Sequence, residues 1–296
     1  MEGFFVNIAC GDTYLPNWHN FDYAPHSRLV KRANLLARLP LRDNCADVVY
    51  CSHFVEHIPR THIASFLSEC FRVAKPGATI RLVLPDFEEM CATYLDCRRA
   101  GNHAEADFLI LEIIDQCVRP RRGGELRDFF GSMDPEKAGD QKMVQFVRHR
   151  TGYVIPTGGL GRGIPDWLLK SPRMWLLMIE QFYIRLVVSL LPPSFRRQNV
   201  SLATVGERHT WVYDFHSLSN LLESAGFESV IRQSELTSGI DGFPCHPLDA
   251  TADGLPRKGA ESLYIEARKP QATEVDLRRP PLRNPTVLRA RTMGAK

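Results

Sequence analysis

The chain has 296 residues and a formal net charge of +3, and 44% of its residues are hydrophobic and 24% charged. This composition is typical of a folded globular protein and excludes a disordered or fibrous chain. Residues 269–296 contain seven basic and two acidic residues, a net charge of +5, so residues 1–268 have a net charge of −2. A nucleic-acid-binding protein needs a basic surface on its folded body. We therefore predict no nucleic-acid partner.

Strand and helix patterns alternate over the first 86 residues. Short apolar runs predict strands at Phe4–Ala9, His19–Tyr23, Asp47–Ser52 and Ala78–Leu84. Apolar residues recur at helical spacing over Arg60–Ala74, between the third and fourth of these strands. Strands that alternate with helices predict a parallel sheet that binds its ligand at the carboxyl ends of the strands.

The pattern becomes helical after Asp86 and alternates again after residue 210. Helical stripes begin at Phe87 and cover Phe108–Cys117, and a helix is predicted again at Ser217–Ala225. Two last strands are predicted at Phe227–Glu235 and Ser262–Ala267. We therefore divide the chain into a first part of the core (1–87), a mostly helical insertion that acts as a substrate lid (88–210), the end of the core (211–268) and a basic, disordered tail (269–296).

The eight cysteines and the chain start indicate the compartment. The cysteines include no CxxC pair and no His/Cys pair at zinc spacing, so we predict a reducing environment and no metal site. No basic, apolar leader is present at the start, which predicts a cytoplasmic protein. Met174–Leu191 is very hydrophobic, but Glu180 and Arg185 argue against a helix that spans a bilayer. Two alternatives remain for this segment. It is either a buried lid helix or an interfacial helix within 167–197 that contacts the inner membrane face.

The segment Val6–Asp12 (VNIACGD) is the most informative for ligand binding. A strand that ends in small residues such as Gly11 lets a ligand approach the backbone closely. A dinucleotide site needs GxGxxG followed by a helix, whereas only Asp12–Trp18 separates this strand from the next. The sequence thus favours a nucleoside ligand without a pyrophosphate. Asp22, at the end of the second strand, is placed to bind the ribose hydroxyls; its alternative role is to cap the turn before Pro25.

Polar residues also follow the third clear strand. The run Ser52–His57 (SHFVEH) begins where Asp47–Ser52 ends, at the edge where a parallel sheet binds its ligand. Either histidine of this run, taken alone, is compatible with a structural role.

The order of these segments resembles a known family. VNIACG, NWHNFDYAP, LPLRDNCADVVYCSHFVEHI and FLSECFRVAKPGATIRLVLPDF follow each other as in class I S-adenosylmethionine-dependent methyltransferases of the type 11 group. The later stretch HTWVYDFHSLSNLLESAGFESV…SLYIEARKP resembles the closing helix and strand hairpin of that fold. The resemblance implies an α/β, Rossmann-like, doubly wound and mostly parallel sheet with a C-terminal strand hairpin, here with a large helical insertion.

The resemblance also implies a cofactor, S-adenosyl-L-methionine, and residues that bind it. Asp22 would bind the ribose and Tyr23 would flank the adenine. The methionine part would lie against the residues after β-strand Phe4–Ala9 begins, which are Asn7, Ala9, Cys10 and Gly11. Asn34 and Leu35 would lie near the adenine amino group. Ser52 and His53 would lie beside the sulfonium and the acceptor.

The chain departs from the family pattern at three positions of the cofactor site. Asn7 stands where an acidic residue is common, Ala9 where Gly is usual, and Asn34 where Asp is usual. An amide oxygen still accepts a hydrogen bond but carries no charge. We expect cofactor binding to persist, weakened by ~1 kcal/mol for each lost charge-assisted bond.

The predicted reaction is methyl transfer to a small molecule or glycan, most favourably a hydroxyl of a sugar or lipid-linked saccharide. A base must take the hydroxyl proton, and the candidates are His53, Asp86 and His209. The large, aromatic insertion would select the acceptor. A non-catalytic protein that kept the fold is the first alternative, and a nicotinamide-dependent sugar reductase is disfavoured by the missing GxGxxG.

Overall fold

A computed structural model describes residues 3–157 and 207–271 and, between them, residues 179, 182–184, 186–193, 195, 196 and 200. Its centre is a seven-stranded sheet of order β3-β2-β1-β4-β5-β7-β6. The first five strands are parallel, and β7 is antiparallel to both of its neighbours. The strands are β1 (Phe5–Ile8), β2 (His19–Asp22), β3 (Val30–Arg32), β4 (Ala46–Ser52), β5 (Ala74–Pro85), β6 (Glu228–Gln233) and β7 (Ser262–Arg268).

Helices connect the later strands of the sheet. Of the helices with described bounds, four lie between β5 and β6 and precede the helix that leads into β6. The helices are α1 (Arg60–Val73), α2 (Phe87–Arg99), α3 (His103–Val118), α4 (Gly124–Ser132), α5 (Gln141–Thr151), α6 (Phe215–Ser224) and α7 (Cys245–Leu248), with a 3-10 turn at Val55–His57. The predicted fold class is confirmed: a mostly parallel α/β sheet ends in a β6–β7 hairpin and carries a large group of helices.

Strand β3 was not predicted from the sequence. It has three residues, of which only Val30 is buried, so it is too short to show an alternating pattern. The connection Asp12–Trp18 contains turns and no helix, in agreement with its short length. Strand β5 begins at Ala74, before the predicted Ala78, because the chain becomes extended as soon as α1 ends.

The two faces of the sheet are covered differently. Ile80, Leu82 and Leu84 alternate along β5 and join the larger apolar core, to which α1 and α6 also contribute. The opposite face carries a smaller apolar cluster that includes Trp18 and Tyr50. Burial of both faces explains why the strands have nearly continuous apolar sequences.

The helical group is joined to the sheet by Arg150 of α5. Its guanidinium is buried and forms ion pairs with Glu89 of α2 at 3.0 Å and Glu261 at 3.2 Å, while Glu112 of α3 lies at 3.6 Å. The backbone N–H of Ala260 donates to the carbonyl of His149 at 3.0 Å. These contacts place α2, α3 and α5 beside the start of β7. The division of the chain at residues 88 and 210 remains a prediction.

Two sequence predictions fall largely outside the described residues. These are the lid or interfacial helix at Met174–Leu191, of which only some positions are described, and the tail 269–296, of which only 269–271 are described. Within the described part of the chain, no helix is both long and apolar enough to cross a membrane.

Candidate active site

The carboxyl ends of β1, β2, β4 and β5 lie side by side. Ile8 of β1 pairs with Phe21 of β2 and with Cys51 of β4, and Ser52 of β4 pairs with Val83 of β5. The residues that follow these positions therefore meet at one edge of the sheet. This edge is where an open parallel sheet binds its ligand.

The loop after β1 is open and is held by Asp22. Ala9 and Gly11 have φ angles of 55° and 52°, and a Cβ added to Gly11 would meet no atom within 4 Å. The Gly11 N–H donates to Asp22 Oδ2 at 2.9 Å, and the Ala24 N–H donates to Asp22 Oδ1 at 2.9 Å. Asp22 thus caps the turn that follows it. Each carboxylate oxygen accepts one of these hydrogen bonds and keeps capacity for a second donor, such as a ribose hydroxyl.

Asn7 and Cys10 shape this loop from within. Asn7 is buried, and its Nδ2 donates to the Thr13 carbonyl at 3.1 Å, which closes the loop on itself. Burial, with a smaller effect of the Asp22 charge, raises the pKa of the Cys10 thiol to about 12. Cys10 is therefore a neutral thiol at physiological pH.

The residues predicted to surround the adenine have different environments. Tyr23 is 56% exposed beside Asp22, and the Arg32 guanidinium lies 5.7 Å from its ring centre. Asn34 Oδ1 accepts a hydrogen bond from the Leu36 N–H at 3.1 Å, whereas the Leu35 side chain is buried in the main core. Leu35 can therefore face a ligand only through its backbone. The adenine contacts remain predictions.

His53 lies directly after β4 with a positive φ of 51°. Its N–H donates to the Val83 carbonyl at 2.7 Å, which fixes the backbone in this uncommon conformation. Its Nδ1 lies 3.4 Å from Glu56 Oε1 and its Nε2 lies 3.5 Å from Ser262 Oγ. The preceding Ser52 Oγ accepts a hydrogen bond from Arg257 at 3.2 Å.

Glu56 is at the centre of a cluster of three histidines. Its side chain is 2% exposed, and His57 Nε2 lies 3.9 Å from its Oε1. His209 also belongs to the cluster. Its backbone N–H donates to the carbonyl of Gln116 in α3 at 2.9 Å. The rings of His57 and His209 meet edge to face at 4.9 Å. The structure therefore brings His53 and His209 together around a carboxylate.

Burial controls the charge state of this cluster. It lowers the pKa of His53, and it lowers the pKa of His209 to about 4, although Glu56 acts in the opposite direction on both. Burial opposes ionisation of Glu56, but the neighbouring histidines, His53 foremost, lower its pKa to about 2. The histidines have this effect only when they carry a proton. Near neutral pH His53 and His209 are neutral, and Glu56 is a carboxylate.

Asp86, the second candidate base, forms its hydrogen bonds with residues outside the cluster of Glu56 and the histidines. One carboxylate oxygen accepts the Glu88 N–H at 3.1 Å and caps α2, and the other accepts a hydrogen bond from Arg232 at 2.7 Å. Both oxygens are therefore engaged in structural contacts. This arrangement makes Asp86 a poorer base than His53.

Glu56 and His57 were not predicted as site residues. The signal was present, because both belong to the polar run SHFVEH after β4. Their partner His209 is 152 positions beyond His57, so no spacing rule could connect them.

A comparison with protein families finds a match over 63 of the 296 residues. The family model described as a methyltransferase domain matches residues 20–82, which contain β2 to most of β5. This part of the chain is therefore similar to methyltransferase domains. The match bears out the resemblance seen in the sequence, and this resemblance implies S-adenosylmethionine as the cofactor.

The solved structures to which this chain is similar are distant relatives in sequence. One is a SAM-dependent methyltransferase from Methanosarcina mazei, with 14% identity, coverage of 91% of this chain and 93% of that chain, and a TM-score of 0.38. Another, from Archaeoglobus fulgidus, has 14% identity, coverage of 90% and 86%, and a TM-score of 0.37. No curated protein matches the chain. The assignment therefore depends on the family model and on the fold itself.

The residues present fit S-adenosylmethionine, the cofactor that the family match implies. The open space beside Gly11 admits a ligand to the backbone, and Asp22 offers carboxylate oxygens next to it. Tyr23 adds an exposed ring at the end of β2. The methionine part, the ribose and the adenine can each be placed on a surface of suitable chemistry along this edge.

Proposed function

We propose that this enzyme methylates a hydroxyl group of a sugar or a lipid-linked saccharide in the cytoplasm. The observation that carries the proposal is His53, a neutral and partly exposed imidazole at the carboxyl end of β4 whose Nδ1 faces the Glu56 carboxylate. A hydroxyl acceptor must lose a proton during methyl transfer, and a neutral imidazole can accept it.

The cofactor, when bound, supplies an activated methyl group. The negative charge of Glu56, whose Oε1 lies 3.4 Å from Nδ1, favours the His53 tautomer with its proton on Nδ1 and leaves Nε2 to take the proton of the acceptor hydroxyl. Ser262 Oγ, 3.5 Å from Nε2, lies where it can bind the same hydroxyl. Most of the rate enhancement then comes from alignment of the acceptor oxygen with the methyl group.

Trp211 supports a sugar as the acceptor. It lines a small cavity together with Glu56 and His209, and 40% of its surface is exposed. An exposed aromatic ring beside a proton acceptor suits a molecule with both apolar faces and hydroxyl groups.

The acceptor proposal can be tested by incubating the enzyme with S-adenosylmethionine and matched saccharides. Nucleotide-linked and lipid-linked sugars are compared with analogues that lack one hydroxyl, and S-adenosylhomocysteine and methylated product are measured. We expect product from some hydroxylated sugars and none from the matching deoxy analogue. Transfer to amines or carbon acids instead would contradict the proposal, and cofactor binding without turnover on any acceptor would favour a non-catalytic binding protein.

A lipid-linked acceptor would bring the enzyme to a membrane surface. The described side chains within the predicted interfacial segment 167–197 include Phe182, Tyr183 and Leu190, which are 69%, 65% and 78% exposed. We expect flotation with vesicles of anionic phospholipid, reduced by replacement of Phe182 and Leu190 with Ser. The control is Leu255→Ser, at a position elsewhere in the chain that is 56% exposed. Equal flotation of all variants would contradict membrane contact through this segment.

A further inference from the structure

Glu56 is a buried carboxylate whose two oxygens accept no hydrogen bond. The side chain is 2% exposed, and neither Oε1 nor Oε2 has a partner of hydrogen-bonding geometry. Among the described residues, the ion pairs of Glu56 are with His53 and His57, at 3.4 and 3.9 Å, and none is with Lys or Arg. The burial of a carboxylate without hydrogen bonds costs free energy unless a cation lies beside it.

His57 presents a lone pair to this carboxylate. Its Nδ1 lies 2.9 Å from the carbonyl oxygen of Arg208, and since a carbonyl oxygen only accepts, Nδ1 carries the proton. In the neutral ring, Nε2 then has no proton, and it faces Glu56 Oε1. Metal-binding histidines characteristically donate their other ring N–H to a backbone carbonyl in this way.

His209 completes a set of three donors. One donor atom from each of Glu56, His57 and His209 lies within 4.8 Å of the other two. Ligands of one tetrahedral zinc ion are about 3.3 Å apart, given bond lengths of about 2.0 Å. Small side-chain rotations would therefore bring all three onto one ion.

We propose that Glu56, His57 and His209 bind a divalent transition-metal ion of the Zn²⁺ type. Two imidazole nitrogens and one carboxylate oxygen suit such ions better than Mg²⁺, which prefers oxygen ligands. Three protein ligands also leave a coordination position open. This site was not expected from the sequence, where no His/Cys pair at zinc spacing occurs.

The open position would face the acceptor, an extension that depends on the proposed function. His53, the proposed base, lies 3.4 Å from the same carboxylate. A bound ion could hold the acceptor oxygen and ease the loss of its proton to His53. The ion would thus position the acceptor beside the methyl group.

The metal site is tested by binding and not by activity. The full-length protein is freed of metal with a chelator and titrated with Co²⁺, whose visible spectrum reports its ligands, and then with Zn²⁺ by calorimetry. We expect one equivalent to bind. Glu56→Gln and His209→Ala should each weaken binding by more than the ~10–100-fold that the loss of a second-shell contact costs. The control is His62→Ala, on the exposed side of α1.

The outcomes separate the site from its rivals. No binding of either ion, or equal binding by wild type and both variants, would overturn the proposal. A thiolate-to-cobalt charge-transfer band would also overturn it, because cysteines would then be the ligands. Circular dichroism establishes that each variant is folded, and a His57→Ala variant replaces any that is not. A parallel titration with S-adenosylhomocysteine tests the methyltransferase site independently of the metal.

Discussion

The carboxylate of Asp22 accepts a hydrogen bond from the backbone N–H of Gly11 at 2.9 Å. The end of β2 therefore fixes the loop that follows β1, without the helix that usually stands there. Asp22 thus holds the loop, and we expect its carboxylate to bind the ribose of the cofactor as well.

Removal of the Asp22 carboxylate should weaken cofactor binding. We expect Asp22→Ala to lower the affinity for S-adenosylhomocysteine at least ~tenfold, about 1.4 kcal/mol, in calorimetric titration. Asp47→Ala is the matched control, because Asp47 accepts the Phe4 N–H at 2.7 Å at the opposite end of β1. If both variants bound the cofactor equally well, the ribose contact would be wrong.

His53 should affect turnover and leave cofactor binding unchanged. His53→Asn keeps a residue that tolerates the positive φ, so the backbone should be preserved while the base is lost. We expect a fall in kcat of ~10²–10⁴-fold with an unchanged Kd for S-adenosylhomocysteine. Asp86→Asn, which retains the helix cap, should lower kcat far less. The reverse order of the two effects would make Asp86 the base.

Arg81 should be essential for stability. It is fully buried and bonds Asp249 and Glu266 at 2.7 Å each, as well as the carbonyls of Ser234 and Thr237. Arg81→Met leaves two buried carboxylates without their cation, so we expect a loss of ~3–5 kcal/mol in the free energy of unfolding by urea.

The control for this measurement is Arg99→Met, since Arg99 forms an exposed pair with Asp96 at 3.1 Å. Its free energy of unfolding should match that of the wild type. A similar value for Arg81→Met would show that the buried ion pairs contribute nothing net to stability.

The cap of α6 should give a pH-dependent contribution to stability. The Asp214 carboxylate accepts the Ser217 N–H at 2.7 Å, and hydrogen bonding with Ser217 lowers the pKa of this carboxyl below its usual value. Its stabilisation is therefore present above the unfolded-state pKa and is lost as pH falls through the folded-state pKa. Asp214→Ala should cost ~1 kcal/mol near neutral pH and less in acid.

The measurement is urea unfolding of both proteins over this pH range. The exposed Asp253 provides the control, since Asp253→Ala should leave stability unchanged at every pH. A difference between wild type and Asp214→Ala that did not shrink in acid would exclude the ionised cap as its source.

Much of the fold was predictable because its signals are local. The strands that became β1, β2 and β4 and the helix α1 were predicted with boundaries within two residues of those observed. Each is a run in which burial on both faces, or a helical stripe, determines the residue types. Strand β3 escaped because three residues do not establish a pattern.

The sequence by itself determined which short segments form strands and that the loop after β1 is short. It also placed Asp22 and His53 at the ends of strands. These features follow from neighbouring residues. Only the tertiary structure decided what those residues contact. The two oxygens of Asp86 accept hydrogen bonds from Glu88 and Arg232. His209 lies beside Glu56 and His57, although it is 152 positions beyond His57 in the sequence. Such contacts depend on how residues far apart in the sequence pack together in space, and no periodicity in the chain encodes that packing.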